Sequence, residues 1–273
     1  MSGAEFQGLE RVPGLSLDEA YQDYVGKELP LAVLCDIRAR ANNLLRGEGY
    51  LATVEIPQQT LSDGVPDFQV VFGRLTSVRV RGDAGPSEAT AARYLQKLTE
   101  QDVFNTKEAE RYLLLADDLP GINVRLSLRP AAQGEPGDLV GEIAVVRKKG
   151  VAFLNVQNFG SQSIGPFGAT LQGELYDLTG LGDRTSLTAF STLEFTEQHT
   201  VRLGHDFAVG SEGLRVGGSL TFSTTNPDVQ LGALDVDSES FIGSAFASFP
   251  IARTRANSLL RISASTLSTR PWT

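Results

Sequence analysis

Beyond Lys149 the chain contains no lysine, and from the same point its residues alternate between apolar and polar. Residues 151–273 carry 7 Arg and 11 Asp+Glu, so 18 of 123 positions are charged, against 39 of 150 before them. Surfaces in water ordinarily carry about a quarter or more charged residues of both signs. The stretch "LQGELYDLTGLGDRTSLTAFSTLEF", residues 171–195, poses the question sharply. Its apolar side faces either the core of a soluble β-sandwich or lipid.

The alternation continues along this half. Ala169, Leu171, Gly173 and Leu175 share one face, opposed by Thr170, Gln172, Glu174 and Tyr176. Leu187, Ala189, Leu193 and Phe195 form a second set, and Val201, Leu203, Phe207 and Val209 a third. Leu214, Val216, Leu220 and Phe222 form a fourth, opposed by Arg215, Ser219, Thr221 and Ser223. "SFIGSAFASFPIA" and "SLLRISAS" continue more weakly, for six or seven strands in all. "TEQ" and "GSEG" are short turns, whereas "TTNPDVQLGALDVDSES" is long and acidic. Ten-residue dyad segments, with short turns at one end and long loops at the other, mark outer-membrane barrels. A soluble sandwich also alternates. The missing lysines favour lipid.

The first half reads differently. "SLDEAYQDYVG" predicts a helix capped by Ser16, with Glu19 as its capping-box partner. Leu31, Leu34, Ile37, Ala41, Leu44 and Leu45 fall at helical spacing, with Pro30 in the first turn and Gly47 and Gly49 at the exit. "LATVEIPQQTLSDGVPDFQVVFG" predicts two strands around the turn "SDG". "RLTSVRVRG" is again strand-like, and "SEATAARYLQKLTEQ" and "TKEAERYLLLADDLPG" are helical. In the latter Ala109, Tyr112, Leu113 and Ala116 share a face, and Pro120-Gly121 ends it. "INVRLSLRP" places Ile122, Val124, Leu126 and Leu128 on one face and Asn123, Arg125, Ser127 and Arg129 on the other, with "DLVGEIAVVRKK" as the return strand. The order β-α-α-β-β thus occurs twice, at a period of roughly 70 residues.

Other chemistries find little support. A net charge of −9 and a pI near 4.8 argue against nucleic-acid binding. The one cysteine, Cys35, excludes an internal disulfide and a multi-cysteine zinc cluster, and core packing is its expected role. No stretch approaches the roughly 20 apolar residues of a membrane helix. "MSGAEFQGLERVPG" has neither the basic nor the apolar part of a signal peptide, which alone reads as cytosolic. "GPFGATLQG" lacks the Lys-Ser/Thr of a phosphate loop. His199 and His205 share strand parity but stand roughly 20 Å apart, so they read as polar-face or loop residues. Asp183 in "GLGDR" reads as a turn aspartate. No Gly-x-Ser-x-Gly elbow is present, and no enzyme, cofactor, metal or nucleotide is expected.

Three strings carry a resemblance. "GYLATVEIPQQTLSDG" (49–64) resembles the first POTRA signature of the two-partner secretion transporters, with its Gly-Tyr, Pro-x-Gln and Asp-Gly. "LLLADDLPGINVRLSLRP" resembles the second, a Leu-rich helix, Leu-Pro-Gly and a strand ending in Arg-Pro. "NVQNFGSQSIGPFGATLQGELYDLTGLGDRTSL" resembles the first barrel hairpin of that family, the haemolysin secretion/activation type of the Omp85 superfamily. The resemblance spans nearly the whole chain in the right order. It implies α+β followed by all-β: POTRA-like domains at 1–73 and 74–149, then the N-terminal strands of an antiparallel transmembrane β-barrel at 150–273. The family's plug helix and distal Arg-Gly-aromatic loop have no counterpart among these residues, so the chain is expected to be incomplete.

The resemblance further implies a monomeric translocator in the outer membrane, with residues 1–149 periplasmic. It would export a large partner protein that carries an N-terminal secretion domain. Unfolded client is expected to pair with an exposed sheet edge. The candidate edges are Val54–Thr60 and Asn123–Arg129, with Val54, Ile56, Val124, Arg125, Leu126 and Arg129 as client-binding residues, and Arg125 and Arg129 offering attraction to acidic clients. Two alternatives stay open: an assembly factor of the same superfamily, and a soluble β-rich binding protein.

Overall fold

A computed structural model describes residues 1–61, 64–161, 165–227 and 237–269. Two compact units interleave in sequence. The first comprises 1–81, 95–113 and 125–144, and the second 82–94, 114–124 and 145–273.

The chain begins with β1 (Glu5–Gln7), followed by α1 (Val33–Gly47), β2 (Ala52–Glu55) and β3 (Asp67–Phe72). The expected helix at Ser16 is instead two single 3-10 turns, Asp18–Ala20 and Gln22–Tyr24. Ser16 accepts the Asp18 N–H at 3.1 Å, the local side-chain bond that competes with helix. Leu17 and Ala20 from these turns join Ile37, Ala41, Leu45, Val54, Phe68, Val70 and Phe72 in one core.

The buried face of α1 runs through Ile37, Ala41 and Leu45, at four-residue steps. Cys35 lies two residues from Ile37, about 200° round the helix, and is exposed rather than in the core. Leu31 precedes the helix and is also exposed. The exit is as expected: Gly49 has φ +89°, and Tyr50 N–H donates to Leu45 C=O at 2.9 Å while Gly49 N–H donates to Arg46 C=O at 3.0 Å. That pair satisfies two carbonyls the helix leaves open.

A second group follows: β4 (Arg74–Gly82), α2 (Glu88–Gln96), α3 (Thr106–Asp117), β5 (Ile122–Pro130) and β6 (Asp138–Arg147). The two small sheets have the orders β1-β3-β2 and β4-β6-β5, the same first-third-second arrangement twice. β5 alternates as read, with Ile122 buried, Val124, Leu126 and Leu128 half-buried, and Asn123, Arg125, Ser127 and Arg129 exposed.

Residues 150–269 form one seven-stranded antiparallel meander: β7 (Gly150–Gln157), β8 (Gly168–Tyr176), β9 (Arg184–Thr192), β10 (Gln198–Val209), β11 (Leu214–Thr225), β12 (Ser238–Arg253) and β13 (Ser258–Thr269). β7 and β13 are its edges, so the sheet is open. Leu154, Leu171, Ala189, Val201, Phe222 and Phe241 stand side by side across six strands. Of these Leu154 is 71% exposed, Leu171 49% and Phe222 48%. A soluble sandwich buries this face; here it is bare. The neighbouring row of Thr170, Thr200, Ser223 and Ser240 points the other way, and Thr200 and Ser223 hydroxyls meet at 2.8 Å.

Connections 177–183, 210–213 and 254–257 lie at one end of the meander, and 193–197 at the other. The "TEQ" turn therefore sits at the opposite end from "GSEG", because β10 separates the two. Leu193 and Phe195 fall outside β9, where Phe195 turns the chain with φ +57°. His199 and His205 share the parity of Val201 and Leu203, so they lie on the apolar face rather than the polar one. Each bonds a cross-strand hydroxyl, Ser191 at 3.0 Å and Thr185 at 2.9 Å. The turn "SDG" falls partly, and the long acidic loop largely, outside the described residues.

Candidate functional site

Both expected client-binding strands are sheet edges. β2 pairs with β3 alone and β5 is the outer strand beside β6. β2 is shorter than expected, ending at Glu55. Ile56 lies just past it, half-buried against the core, and Pro57 has no N–H to continue the ladder. Gln59 takes over that role with its side chain. Its Nε2 donates to Asp67 C=O and its Oε1 accepts Asp67 N–H, both at 2.8 Å. This is the physical content of the Pro-x-Gln string.

The two edges differ in what they leave open. On β2 the buried Val54 faces its outward N–H to Asn42 Oδ1 at 3.0 Å. The cap falls mid-strand. On β5 the Val124 N–H donates to Asp117 Oδ1 at 2.8 Å, and Asn123 Nδ2 donates to the same atom at 3.0 Å. This cap falls near the start of the strand. Val124 and Leu126 point to the covered side, and Arg125 and Arg129 lie on the open face. Asn42 and Asp117 were not singled out from sequence. A polar residue near a helix end that precedes a strand was the available signal.

A second arrangement joins α2 to the 177–183 connection. Ser87, immediately before α2, donates its N–H to Asp177 Oδ2 at 3.1 Å and its hydroxyl to Oδ1. Gly182 N–H donates to Ser87 Oγ at 2.7 Å, and Thr90 Oγ1 donates to Gly180 C=O at 2.9 Å. Arg147 Nη2 lies 3.6 Å from Asp177. Asp177 thus places negative charge at the start of α2, where helix dipole and open N–H groups favour it. Gly182 has φ +63°, and a Cβ there would stand 2.6 Å from Leu119. Asp183 is buried and serves its own turn, accepting N–H groups from Leu178 at 3.0 Å and Thr179 at 2.8 Å and the Thr179 hydroxyl at 2.5 Å. Burial alone raises its pKa, but the Thr179 hydroxyl and the two backbone donors outweigh burial and hold it below the ordinary aspartate value.

On the polar side of the meander Asp206 is buried between two cations. Arg184 Nε donates to it at 3.0 Å and Arg215 Nε at 2.9 Å, with a further contact from Arg215 Nη2. Arg215 Nη1 also donates to Gly182 C=O at 3.1 Å. Arg253 makes a two-pronged pair with Asp118 at 2.7 and 2.8 Å. Arg184, Arg215, Arg253, Asp118 and Tyr94 line a cavity of about 450 Å³. No group of His, Cys, Asp or Glu suited to a metal ion occurs among the described residues.

The family model for the POTRA domain, ShlB-type, matches residues 1–73. The heme/hemopexin transporter protein HuxB of Haemophilus influenzae (strain 86-028NP) is 25% identical over 173 residues, covering 63% of this chain and 30% of HuxB. The chain therefore spans about three-tenths of the length of that curated relative. Among solved structures, CdiB from Escherichia coli matches with a TM-score of 0.79 at 17% identity, covering 99% of this chain and 51% of that one. CdiB from Acinetobacter baumannii matches at 0.67 and 15%, covering 99% and 54%. BamA from Haemophilus ducreyi matches at 0.56 and 15%, covering 94% and 49%. At these identities the structural matches speak for the fold: two small α/β sheets followed by the strands of a barrel.

Proposed function

We infer that the chain is part of a two-partner secretion transporter of the Omp85 superfamily, one that exports a large partner protein of the haemolysin or adhesin type from the periplasm to the cell surface. Residues 1–73 and 74–149 are two periplasmic POTRA domains, and 150–273 are strands of an outer-membrane β-barrel. The observation that carries this reading is the seven-stranded meander with its apolar row bare, preceded by two sheets of identical strand order. Lipid is the solvent that such a face requires, and closure by further strands is what an open edge in lipid requires.

The polar face, with Asp206, Arg184, Arg215 and hydroxyl rows, lines the conduit. Unfolded client is captured by backbone pairing with a POTRA edge strand, which tolerates many sequences. Export needs no catalytic group, and folding of the client outside gives direction. The similarity to HuxB, a heme/hemopexin transporter protein, supports transport over barrel assembly.

Deleting the gene and comparing the culture medium with the outer-membrane protein profile tests this. Loss of one large secreted polypeptide, with the outer-membrane profile unchanged, is the expected result. An unchanged medium with several outer-membrane proteins depleted contradicts export and supports an assembly factor.

A further inference from the structure

The free part of the β5 edge is short, and its limits can be read from the backbone. A seven-residue connection joins β5 to the adjacent β6, so the pair is antiparallel, and in such a pair the N–H and C=O of one residue point the same way. Ala131 N–H donates to Asp138 C=O at 2.9 Å, so odd-numbered residues face β6. Even-numbered residues face out, as the Val124 bond to Asp117 confirms. Val124 is already capped, and Pro130 has no N–H. The outward N–H groups left are those of Leu126 and Leu128, contiguous and bounded on both sides. β2, by contrast, is capped at its middle.

Two exposed arginines stand beside this window, on a chain of net charge −9. Arg81 pairs with Glu142 at 2.8 Å and Arg74 with Asp138 at 3.2 Å. Arg125 and Arg129 are exposed and make no ion pair among the described residues. They flank the Leu126–Leu128 window on one face, four residues and about 13 Å apart.

We propose that β5 selects an extended client segment with acidic residues four positions apart, pairing its backbone with Leu126 and Leu128 and its two carboxylates with Arg125 and Arg129. Asp117 and Pro130 set the register by closing the edge at either end. The proposal rests on edge pairing as the mode of capture. It adds the chemistry and spacing that the client must carry.

The test uses the full chain in detergent micelles and labelled β-prone peptides carrying Glu at positions i and i+4, with Gln and Lys versions beside them. The Glu peptide is expected to bind more tightly than the Gln peptide, and less so at high salt. R125E/R129E is expected to weaken it about tenfold and to favour the Lys peptide instead. Leu128→Pro removes one outward N–H and no bond to β6, and is expected to abolish binding. Equal binding of Glu and Gln peptides, lost in Leu128→Pro, overturns the charge selection and leaves edge pairing standing. Charge-sensitive binding that ignores Leu128→Pro overturns edge pairing and the proposal with it. No binding by any peptide overturns both.

Discussion

The Asp177 carboxylate accepts the backbone N–H of Ser87 at 3.1 Å, across 90 residues of sequence. Both residues are buried, and the same carboxylate takes the Ser87 hydroxyl. A helix start is capped here by a turn between two strands of the meander. Removing the carboxylate orphans two buried donors, each costing about 1–3 kcal/mol. Asp177→Ala is expected to lower the unfolding midpoint of the chain refolded in lipid vesicles, and Asp177→Asn to lower it less. Equal midpoints for wild type and Asp177→Ala contradict this capping role.

The two arginines on Asp206 are not equivalent. The Arg215 side chain is 21% exposed and that of Arg184 43%. Arg215 also holds Gly182 C=O. Stripping a buried carboxylate of its main partner costs about 3–5 kcal/mol, whereas losing an exposed pair costs about 1 or less. Arg215→Met is therefore expected to destabilise the strands severely and Arg184→Met mildly, read by urea unfolding from vesicles. The reverse ranking counts against the network.

Asp183 titrates low because its turn donates to the charged form. A depressed folded pKa adds stability that is fully present above the ordinary aspartate range and is lost as the pH falls through and below it. Acid unfolding of wild type is expected to show this loss in that window. Asp183→Asn should be less stable at neutral pH and should lack that part of the acid dependence. Parallel acid profiles for the two proteins contradict it.

Gln59 replaces a missing strand residue by bonding both backbone groups of Asp67. Gln59→Ala is expected to cost about 1–3 kcal/mol and to speed amide exchange at Asp67 without altering distant amides. Unchanged exchange at Asp67 rules this out.

The strands were legible where periodicity reports burial directly. The alternation of Ile122 to Arg129 and the apolar rows of the meander follow from the pleat alone. A helix at Ser16 does not follow from its capping residues, because these also build isolated turns, and the exposure of Cys35 depends on which stripe of α1 packs inward. The edges of β2 and β5 were recognised, yet their caps by Asn42 and Asp117 were not, since one side chain meeting one N–H leaves no periodic trace. The Ser87–Asp177 bond joins residues 90 apart and leaves no periodic trace either, whereas Arg215 and Asp206, nine residues apart, meet across the β10–β11 hairpin. "GLGD" marked the place of the first without showing its partner.

On the reading above, the apolar face of the seven-stranded meander meets lipid. Single spin labels in a Cys35→Ser background, reconstituted in vesicles, test it at Leu154, Leu171, Val201 and Phe222 and at Thr170, Thr200 and Ser223. The first set is expected to be relaxed by oxygen dissolved in the bilayer and the second by a water-soluble nickel complex. Equal access of the nickel complex to both sets, or a water-soluble chain without detergent, would contradict it.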